Sequence, residues 1–561
     1  MIADARRAAL PDTLAADLVI VGAGPAGIAL ALALEDAGLD VMLVEAGGDR
    51  FDKAGQELLR AEAVSPPSHS PGEMYRRRQF GGTSAVWGGR CIPFDPIDFE
   101  TRDWMPDARW PIAYEEVARH YPQAMALADA GLAAFSAGEA DPGEADPALP
   151  GTGADAITER IERFSHPMDF GGYYRARLAK AARVRVLTNA GVEQILTDTG
   201  GTRAAGVRLH LDGGRRVTVA APRVVIAAGG IETARLLLAS DAVCPAGLGN
   251  EHDLVGRFYQ CHLEGELGTI AFHPPAGHHR FDYFRSHDGV YCRRFLWLSP
   301  EAQRRERLAG MVLRPAHPSI VDPAHRHPVL SAMYLAKNMI VPEYARKMTA
   351  LEHEARRTRG GSAAAFHAAH LRNIVLGAPR LLGFGIDWTR RRILATRKLP
   401  SVLLEEPGGV YPLDLNGEQE PHRDSRVRLG IERDASGVRR AIIDWRCTEA
   451  DKQRMIHGVR TIAAAVNQSG AATITLDDAQ AEAWRDNPVP VGGHHIGTAR
   501  MADDPRRGVC DANAELFGTR GVFVAGAAAF PTSSFANPTL TLLALTLRLA
   551  AHLRASGKTG A

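Results

Sequence analysis

Two histidines and one asparagine near the C-terminus are the residues of this sequence best suited to chemistry on a hydroxyl group. His494 and His495 stand in the segment His-His-Ile-Gly-Thr, and Asn537 stands in Asn-Pro-Thr-Leu-Thr. A neutral imidazole can take the proton of an alcohol, and an amide side chain can hold its oxygen in place. Since neighbouring side chains of an extended segment point to opposite sides, we expect one histidine to face a reaction centre and the other to be structural.

A glycine-rich turn near the N-terminus is typical of a nucleotide-binding fold. The apolar run 18–21 predicts a buried strand, and Gly22-x-Gly24-x-x-Gly27 then leads into a helix. The first glycine allows the tight turn, the second lets backbone approach a pyrophosphate, and the third lets the helix pack on the strand. Glu45, after the next predicted strand, can accept both ribose hydroxyls of an adenosine and would repel a 2′-phosphate, which disfavours NADP. The motif alone does not separate FAD from NAD.

A second glycine-rich stretch, residues 79–90, favours a flavin. Its sequence, Gln-Phe-Gly-Gly-Thr-Ser-Ala-Val-Trp-Gly-Gly-Arg, combines four glycines with small residues and one tryptophan. Such a loop lets the backbone approach a flat ring system closely. The sequence therefore predicts two stretches of backbone that contact one dinucleotide cofactor.

These stretches resemble the glucose–methanol–choline (GMC) oxidoreductases, which bind FAD. The resemblance extends to residues 45–47, 110–117 and 224–237 and to the C-terminal motifs, so that it covers most of the chain except its middle. It implies that His494 is the base that takes the hydroxyl proton while the carbon delivers hydride to flavin N5. It also implies that Asn537 orients the substrate oxygen. The C-terminal motifs are most similar to the sugar-active bacterial branch, so a sugar or glycoside is the expected substrate.

The predicted FAD contacts follow from the two glycine-rich stretches and from this resemblance. Pro538 and Thr539 open a helix whose N-terminus would face the flavin and stabilise negative charge on the reduced ring. Val86 takes the position at which some relatives carry a histidine bonded to the flavin, so we predict non-covalent FAD. The complete predicted set is Gly22, Gly24, Ala26, Gly27, Glu45, Gly81, Gly82, Thr83, Ser84, Trp87, Gly88, Gly89, Val192, Ala228, Gly526, Ala527, Asn537, Pro538 and Thr539.

The fold class implied by the resemblance is α+β. A discontinuous, Rossmann-like FAD-binding domain would comprise residues 12–100, 180–250 and 490–556. The interleaved substrate-binding domain, residues 100–180 and 250–490, would be built on a mostly antiparallel sheet whose face lies against the flavin, with a basic insertion at about 340–400.

The composition of the chain excludes several classes of partner. The net charge is +1 over 561 residues, so no global field points to nucleic acid. The six cysteines are scattered without a CxxC pair, which argues against a metal site, an iron–sulfur cluster or a disulfide framework. We find no signal peptide and no uncharged apolar run long enough to span a bilayer, so we expect a cytoplasmic enzyme.

The middle of the chain departs from this balanced charge. Residues 346–398, here called the basic segment, contain twelve basic and three acidic residues, with apolar runs at 374–376 and 381–384. Two interpretations stay open. The first is a pair of solvated helices that could form an oligomer interface. The second is peripheral contact with an anionic membrane at the inner face, with Trp388 at the boundary.

The substrate and the electron acceptor are less well determined by the sequence. Gln419, Asp424 and Arg426 are candidate hydroxyl-binding groups, although a turn that enters a strand explains them equally well. The donor could instead be another alcohol, namely an aminoglycoside, cyclitol, steroid or aliphatic alcohol. The acceptor could be oxygen, a quinone or another carrier. The alternatives from other classes are an FAD-containing lyase and a non-catalytic flavin-binding or membrane-adaptor protein.

Overall fold

The computed structural model describes residues 1–64, 69–166, 169–337, 352, 356, 362–406 and 408–558. Within the basic segment, residues 346–351, 353–355 and 357–361 lie outside this described part. The described strands and helices alternate irregularly along the chain, and the strands form four sheets.

The bounds of these elements are as follows. The strands are β1 (Ile2–Asp4), β2 (Thr13–Ala15), β3 (Leu18–Val21), β4 (Val41–Val44), β5 (Glu62–Ala63), β6 (Arg90–Cys91), β7 (Ile157–Phe164), β8 (Val184–Thr188), β9 (Gly191–Thr197), β10 (Ala204–His210), β11 (Arg216–Ala220), β12 (Val224–Ile226), β13 (Leu263–Phe272), β14 (Phe284–Arg285), β15 (Tyr291–Leu298), β16 (Met311–Pro315), β17 (Val410–Gly417), β18 (Arg426–Arg433), β19 (Arg439–Asp444), β20 (Ala472–Leu476), β21 (Val489–Pro490) and β22 (Val522–Val524). The α-helices are α1 (Pro25–Ala33), α2 (Lys53–Glu57), α3 (Pro96–Phe99), α4 (Tyr114–Ala118), α5 (Tyr121–Leu127), α6 (Ala137–Ala140), α7 (Phe170–Lys180), α8 (Gly229–Ala239), α9 (Pro300–Glu306), α10 (Pro328–Leu335), α11 (Ala363–Leu376), α12 (Ala378–Trp388), α13 (Glu449–Ser469), α14 (Asp478–Asp486) and α15 (Thr539–Lys558).

A six-stranded parallel sheet holds the nucleotide-binding turn. Its order is β1-β8-β4-β3-β12-β22, so that its strands come from three distant parts of the chain. Every residue of β3, β4 and β12 is buried, as expected for a parallel sheet covered by helices on both faces. Strand β1 lies before the predicted lower bound of the FAD-binding domain, residue 12, and still belongs to this sheet. The other predicted domain bounds stay a prediction.

The second large sheet has nine strands and is antiparallel throughout. Its main path is β20-β13-β17-β16-β15-β7-β6, and β14 and β21 pair with β15 and β13. Two smaller sheets, β2-β11-β10-β9 and β18-β19-β5, flank the parallel sheet. Together with the comparisons described below, this arrangement confirms the predicted fold class, α+β with a mostly antiparallel second sheet.

Helices α1 and α15 bring the two ends of the chain together. Helix α1 follows the glycine turn and has Pro25 at its first position, where the missing N–H costs no hydrogen bond. Helix α15 begins one residue after Pro538 and packs against α1. The segments that carry His494 and Asn537 are thereby held beside the nucleotide-binding turn.

Candidate functional site

One cavity of about 700 Å³ lies at the carboxyl ends of the parallel strands. Its lining includes the residues that directly follow β3, β4, β12 and β22, which are Gly22, Glu45, Ala227 and Ala525. Ligands of open parallel sheets bind in the crevice outside these strand ends. His494 and Asn537 line the same cavity. The structure therefore places the predicted cofactor turn and the predicted catalytic pair around one space.

The three glycines of the first turn have distinct surroundings. A Cβ atom at Gly22, whose φ is +101°, would lie 2.7 Å from the carbonyl oxygen of Ala227, and one at Gly27 would collide with the carbonyl oxygen of Gly22. A Cβ at Gly24 would meet no atom within 4 Å. Gly22 and Gly27 are thus required by packing, whereas Gly24 opens to the cavity, where a pyrophosphate would approach the start of α1.

Glu45 is buried beside this turn and held by two backbone amides. Its Oε2 accepts a hydrogen bond from Ala23 N at 2.8 Å, and its Oε1 accepts one from Gly47 N at 2.7 Å. Burial raises the pKa of this carboxyl, while both amide hydrogen bonds act in the opposite direction. A carboxylate oxygen that accepts one hydrogen bond keeps acceptor capacity for another. This arrangement fits the ribose hydroxyls of FAD.

Most of the predicted FAD-contacting residues line the cavity. Trp87 and Val86 do so from the loop and 3-10 helix of the second glycine-rich stretch, and Val86 has no atom that could form a covalent bond to a flavin. The predicted residues in the lining are Gly22, Gly24, Ala26, Glu45, Gly82, Thr83, Ser84, Trp87, Gly88, Val192, Ala228, Gly526, Ala527, Asn537, Pro538 and Thr539.

Three predicted cofactor contacts lie outside the lining of the cavity. Gly27 faces the carbonyl oxygen of Gly22, as its motif position requires. Gly81 and Gly89 have φ values of +101° and +73° and face Asp169 and Ser165, so they turn the chain without lining the cavity. Gly27 thus has the packing role expected of its motif position, while a cofactor contact at Gly81 and Gly89 stays a prediction.

His494 stands between a second histidine and Asn537. Its Nε2 lies 3.1 Å from Asn537 Nδ2, and its Nδ1 lies 2.7 Å from Nδ1 of His262, a buried residue just before β13. Burial, and then the charges of neighbouring groups, lowers the pKa of His494 well below the usual range. The imidazole is therefore neutral at neutral pH and can accept a proton. Asn537 Oδ1 is buried and has no hydrogen-bond partner among the described residues.

His495 also lines the cavity, and its ring hydrogen-bonds with a buried tyrosine. Its Nδ1 lies 2.7 Å from the hydroxyl oxygen of Tyr259, which in turn lies 3.1 Å from Nε2 of His69. This chain of polar groups ties His495 to buried residues. The contact agrees with the structural role predicted for it.

The three candidate hydroxyl-binding residues do not line the cavity. Gln419 is fully buried, where its Oε1 accepts hydrogen bonds from Cys261 N and Trp445 Nε1 and its Nε2 donates to Arg446 O. Asp424 pairs with Arg257 at 3.0 Å, and Arg426 faces Asp253 at 3.5 Å, both at the surface. Their polar groups have protein partners away from the cavity, which agrees with the alternative of a turn that enters a strand, and their role as substrate contacts stays a prediction.

The substrate end of the cavity is lined by residues that sequence reasoning missed. Phe164 and Tyr283 form an aromatic wall, with Trp87 in the same lining, and Arg90 and Ser401 supply polar groups. The Nε of Arg90 lies 2.9 Å from Oε2 of Glu162, on the neighbouring strand β7. Phe164, Tyr283 and Ser401 stand outside the motifs identified in the sequence, and they come from distant parts of the chain. His262 was missed for the same reason.

Comparisons with known proteins identify the class. Residues 173–264 and 421–546 match the two models described as GMC oxidoreductase, and residues 15–65 match an FAD-binding domain. The chain thus carries both characteristic domains of the GMC oxidoreductases and is an FAD-dependent alcohol or sugar oxidase or dehydrogenase. The predicted class and the predicted cofactor are confirmed.

Similar characterised proteins act on several alcohols. Paromamine 6′-oxidase of Streptomyces fradiae is 22% identical over 95% of this chain and 90% of its own. The 2-methyl-1,2-propanediol dehydrogenase of Mycolicibacterium austroafricanum is 23% identical over 95% and 94%. A C-glycoside 3-oxidase of Microbacterium trichothecenolyticum is 31% identical, but the match covers only 26% of this chain and 28% of that protein.

Solved structures share the fold. Pyridoxine 4-oxidase from Mesorbium loti has a TM-score of 0.51 at 18% identity, and the match covers 96% of this chain and 98% of that one. A fungal aryl-alcohol oxidase has a TM-score of 0.55 at 15% identity and covers 98% and 100%. In the described part of the chain, no helix is long and apolar enough to cross a membrane, and no group of three or more His, Cys, Asp or Glu residues could hold a metal ion.

Proposed function

We propose that this protein oxidises a CH–OH group of a sugar or glycoside to a carbonyl, with His494 as the base and non-covalent FAD. The observation that carries the proposal is the position of His494, whose Nε2 lies 3.1 Å from Asn537 Nδ2 in the cavity that also holds the dinucleotide turn. A base and an amide at this spacing can both hydrogen-bond to the same substrate hydroxyl group.

In the proposed reaction, FAD when bound supplies the group that accepts hydride from the substrate carbon. Asn537 Nδ2 donates a hydrogen bond to the substrate oxygen and fixes its position. His494 Nε2 takes the hydroxyl proton as the carbonyl forms. The aromatic wall of Phe164 and Tyr283 excludes water from that end of the cavity and presents apolar faces to the substrate.

The sugar assignment is supported by the names of two relatives and by the residues at the substrate end. A C-glycoside and paromamine are the substrates named for them. Arg90 and Ser401 beside aromatic faces suit a ring with several hydroxyls. A small aliphatic diol is the second candidate, because the 2-methyl-1,2-propanediol dehydrogenase matches nearly the whole chain.

The test is anaerobic mixing of the purified holoenzyme with sugars, glycosides, aminoglycosides and aliphatic diols. We expect the oxidised flavin absorbance to bleach with a sugar or glycoside and to stay unchanged with the diols. Bleaching only by a diol would assign the second candidate, and no bleaching by any alcohol would contradict oxidation. Oxygen and a soluble quinone added afterwards identify the acceptor, and acid precipitation should release FAD into the supernatant. We also propose that the protein acts in the cytoplasm, with peripheral contact at the inner membrane face.

A further inference from the structure

The described part of the basic segment presents apolar side chains to solvent. Seven of the seventeen large hydrophobic residues that are exposed in the described part of the chain fall within residues 371–394. They lie on α11, on α12 and on the π-helical turn Thr389–Leu394, and no residue of α12 is buried. This exposed apolar patch consists of Leu371, Val375, Leu376, Leu382, Ile386, Ile393 and Leu394. Clustered apolar exposure of this kind marks an interaction surface.

The charges around the patch are nearly all positive. Residues 362–398 contain seven basic residues and one acidic residue, Asp387. Arg372, Arg390 and Lys398 are exposed among the apolar side chains. Leu382 and Ile386, four positions apart on α12, share one helix face. Apolar side chains flanked by arginines on a helix suit the interface of an anionic bilayer, where the former enter the headgroup region and the latter contact lipid phosphates.

The patch is continuous with the wall of the cavity. Leu399, which follows the segment and is fully buried, packs in one cluster with Phe164, Tyr283 and Trp388. Pro400, the next residue, lines the cavity. A membrane that contacts Leu382 and Leu394 would therefore lie only a few residues away from the substrate end of the cavity.

We propose that the exposed apolar patch docks on anionic lipid headgroups. The occupant is a bilayer surface, because the patch combines exposed aliphatic side chains with an excess of basic residues and the described helices do not span a membrane. Docking brings the substrate end of the cavity close to the lipid, from which an apolar electron acceptor can enter.

Vesicle sedimentation of the holoenzyme tests whether the exposed apolar patch binds anionic lipid. We expect binding to phosphatidylcholine–phosphatidylglycerol vesicles, weaker binding at high salt and little binding to phosphatidylcholine alone. The triple variant Leu382→Gln, Ile386→Gln, Leu394→Gln should lower the affinity at least about tenfold, as should Arg372→Gln with Arg390→Gln. Ile431→Gln removes an even more exposed apolar side chain on β18, outside the patch, and should bind like the wild type. Flavin absorbance reports that each variant is folded.

Two results would overturn the docking proposal. One is binding to neutral and anionic vesicles alike, or to neither. The other is a dimer of the wild type that the triple variant dissociates without any lipid dependence, since this would make a second copy of the chain the occupant.

His262 carries an independent inference about the catalytic pair, which rests on the proposed role of His494. His262 is fully buried, its Nε2 lies 2.9 Å from the carbonyl oxygen of Ser533, and its Nδ1 lies 2.7 Å from Nδ1 of His494. A carbonyl oxygen only accepts, so Nε2 of His262 must carry its proton. Burial lowers the pKa of His262 to about 4, and the ring is therefore neutral at neutral pH, with a bare Nδ1.

The bare Nδ1 of His262 determines the tautomer of His494. Two bare nitrogens at 2.7 Å would repel each other, so Nδ1 of His494 must donate and its Nε2 must be bare. Nε2 is the nitrogen beside Asn537 in the cavity. The carbonyl of Ser533 is itself held, because Ser533 Oγ exchanges hydrogen bonds with the backbone of Gln419 at 3.1 and 3.2 Å.

The geometry points to His262 as a positioning residue that keeps His494 in the tautomer able to take a proton at Nε2. In His262→Leu, His494 loses the acceptor for its Nδ1–H, and we expect flavin reduction to slow about 100-fold with little change in substrate Kd. In His262→Asn, the amide oxygen occupies roughly the place of Nδ1 and can still accept. We expect this variant to recover to within about tenfold of the wild type.

The inference is overturned if His262→Asn is as slow as His262→Leu, or if His262→Leu reduces flavin at the wild-type rate. A purely structural role would lower FAD occupancy and thermal stability in both variants alike, without the difference in rate. The His494→Ala variant separates this inference from the proposed function. If it keeps full activity, the base assignment fails. If it is inactive while His262→Leu is not, only the positioning role fails.

Discussion

The cofactor end and the substrate end of the cavity are built in different ways. At the cofactor end, the contacts come from glycines, backbone amides and one carboxylate at the ends of parallel strands, such as Gly24 and Glu45. At the substrate end, they come from side chains of distant segments, such as Phe164, Tyr283 and His494. Backbone contacts require glycine at fixed spacing. Side-chain contacts such as those of Phe164 and Tyr283 leave no pattern along the sequence, and His494 was recognised only because it stands in a family motif. The cofactor end therefore defines the class of the enzyme, and the substrate end defines its specificity.

The largest expected effect separates the chemical step from cofactor binding. In His494→Ala, the rate of flavin reduction should fall about 10²- to 10⁴-fold, because no group remains to take the hydroxyl proton. FAD occupancy should stay at the wild-type level, since the glycine turn and Glu45 are untouched. Stopped-flow absorbance under anaerobic conditions measures both. Flavin reduction at the wild-type rate would contradict the base assignment.

At the cofactor end we expect the reverse result, in which a substitution removes FAD binding. In Gly24→Leu, the side chain would fill space that is open to the cavity, and the purified protein should lose most of its FAD. Its apo form should unfold at nearly the wild-type temperature, because a Cβ atom at this position meets no atom within 4 Å. Gly383→Leu is the control, since this glycine on α12 also has nothing within 4 Å. If Gly24→Leu retained full FAD occupancy, the pyrophosphate would have to bind elsewhere.

A smaller effect is expected from the aromatic wall. Tyr283→Ala should raise the substrate Kd about tenfold and leave the limiting rate of flavin reduction nearly unchanged, because the ring contacts the substrate equally before and during the reaction. Tyr173→Ala, at an exposed tyrosine on α7, is the matched control. A drop in the limiting rate without a change in Kd would place Tyr283 in the chemical step instead.

A still smaller change is expected in the rate of flavin reduction when the pH is varied over the range in which histidine usually titrates. The pKa of His494 is lowered, so the neutral, proton-accepting form persists as the pH falls through 6.5 and is lost only below that value. The rate of flavin reduction should therefore stay constant from neutral pH through 6.5. A midpoint close to 6.5 would indicate that His494 is exposed to water in the working enzyme.

Almost no effect is expected from Asp424→Asn. The side chain pairs with Arg257 at the surface, outside the cavity, so the substrate Kd should equal that of the wild type. The free energy of unfolding should change by less than about 1 kcal/mol. A clear increase in Kd for the sugar would support the hydroxyl-binding role predicted from the sequence.

The sequence predicts the parts of the site that depend on local motifs. The turn at Gly22, the carboxylate of Glu45 and the pair of His494 and Asn537 all come from recognisable segments, and the structure assembles them around one cavity. Gly81 and Gly89 show the limit of this reasoning, because a glycine that turns the chain looks the same in sequence as one that faces a cofactor.

What sequence reasoning missed depends on strand pairing over long distances. Arg90 faces Glu162 only because β6 pairs with β7, and His262 reaches His494 across 232 positions of the chain. Gln419 shows a second limit. The sequence left a hydroxyl-binding group and an ordinary turn equally open, and only the structure shows that its amide hydrogen-bonds with Cys261, Trp445 and Arg446.

The pairing of β22 with β12 has a consequence for biosynthesis. Strand β12 ends at Ile226, and its outer neighbour in the sheet is not made until residues 522–524 leave the ribosome. At about 5–20 residues per second, the intervening 295 residues take roughly 15–60 s to translate. During that time the nascent chain carries an unpaired, wholly apolar strand edge, which is a site of aggregation. We therefore expect the nascent chain to retain FAD only after this late strand has been made. Ribosome-associated chaperones are the factors expected to protect the strand edge until then.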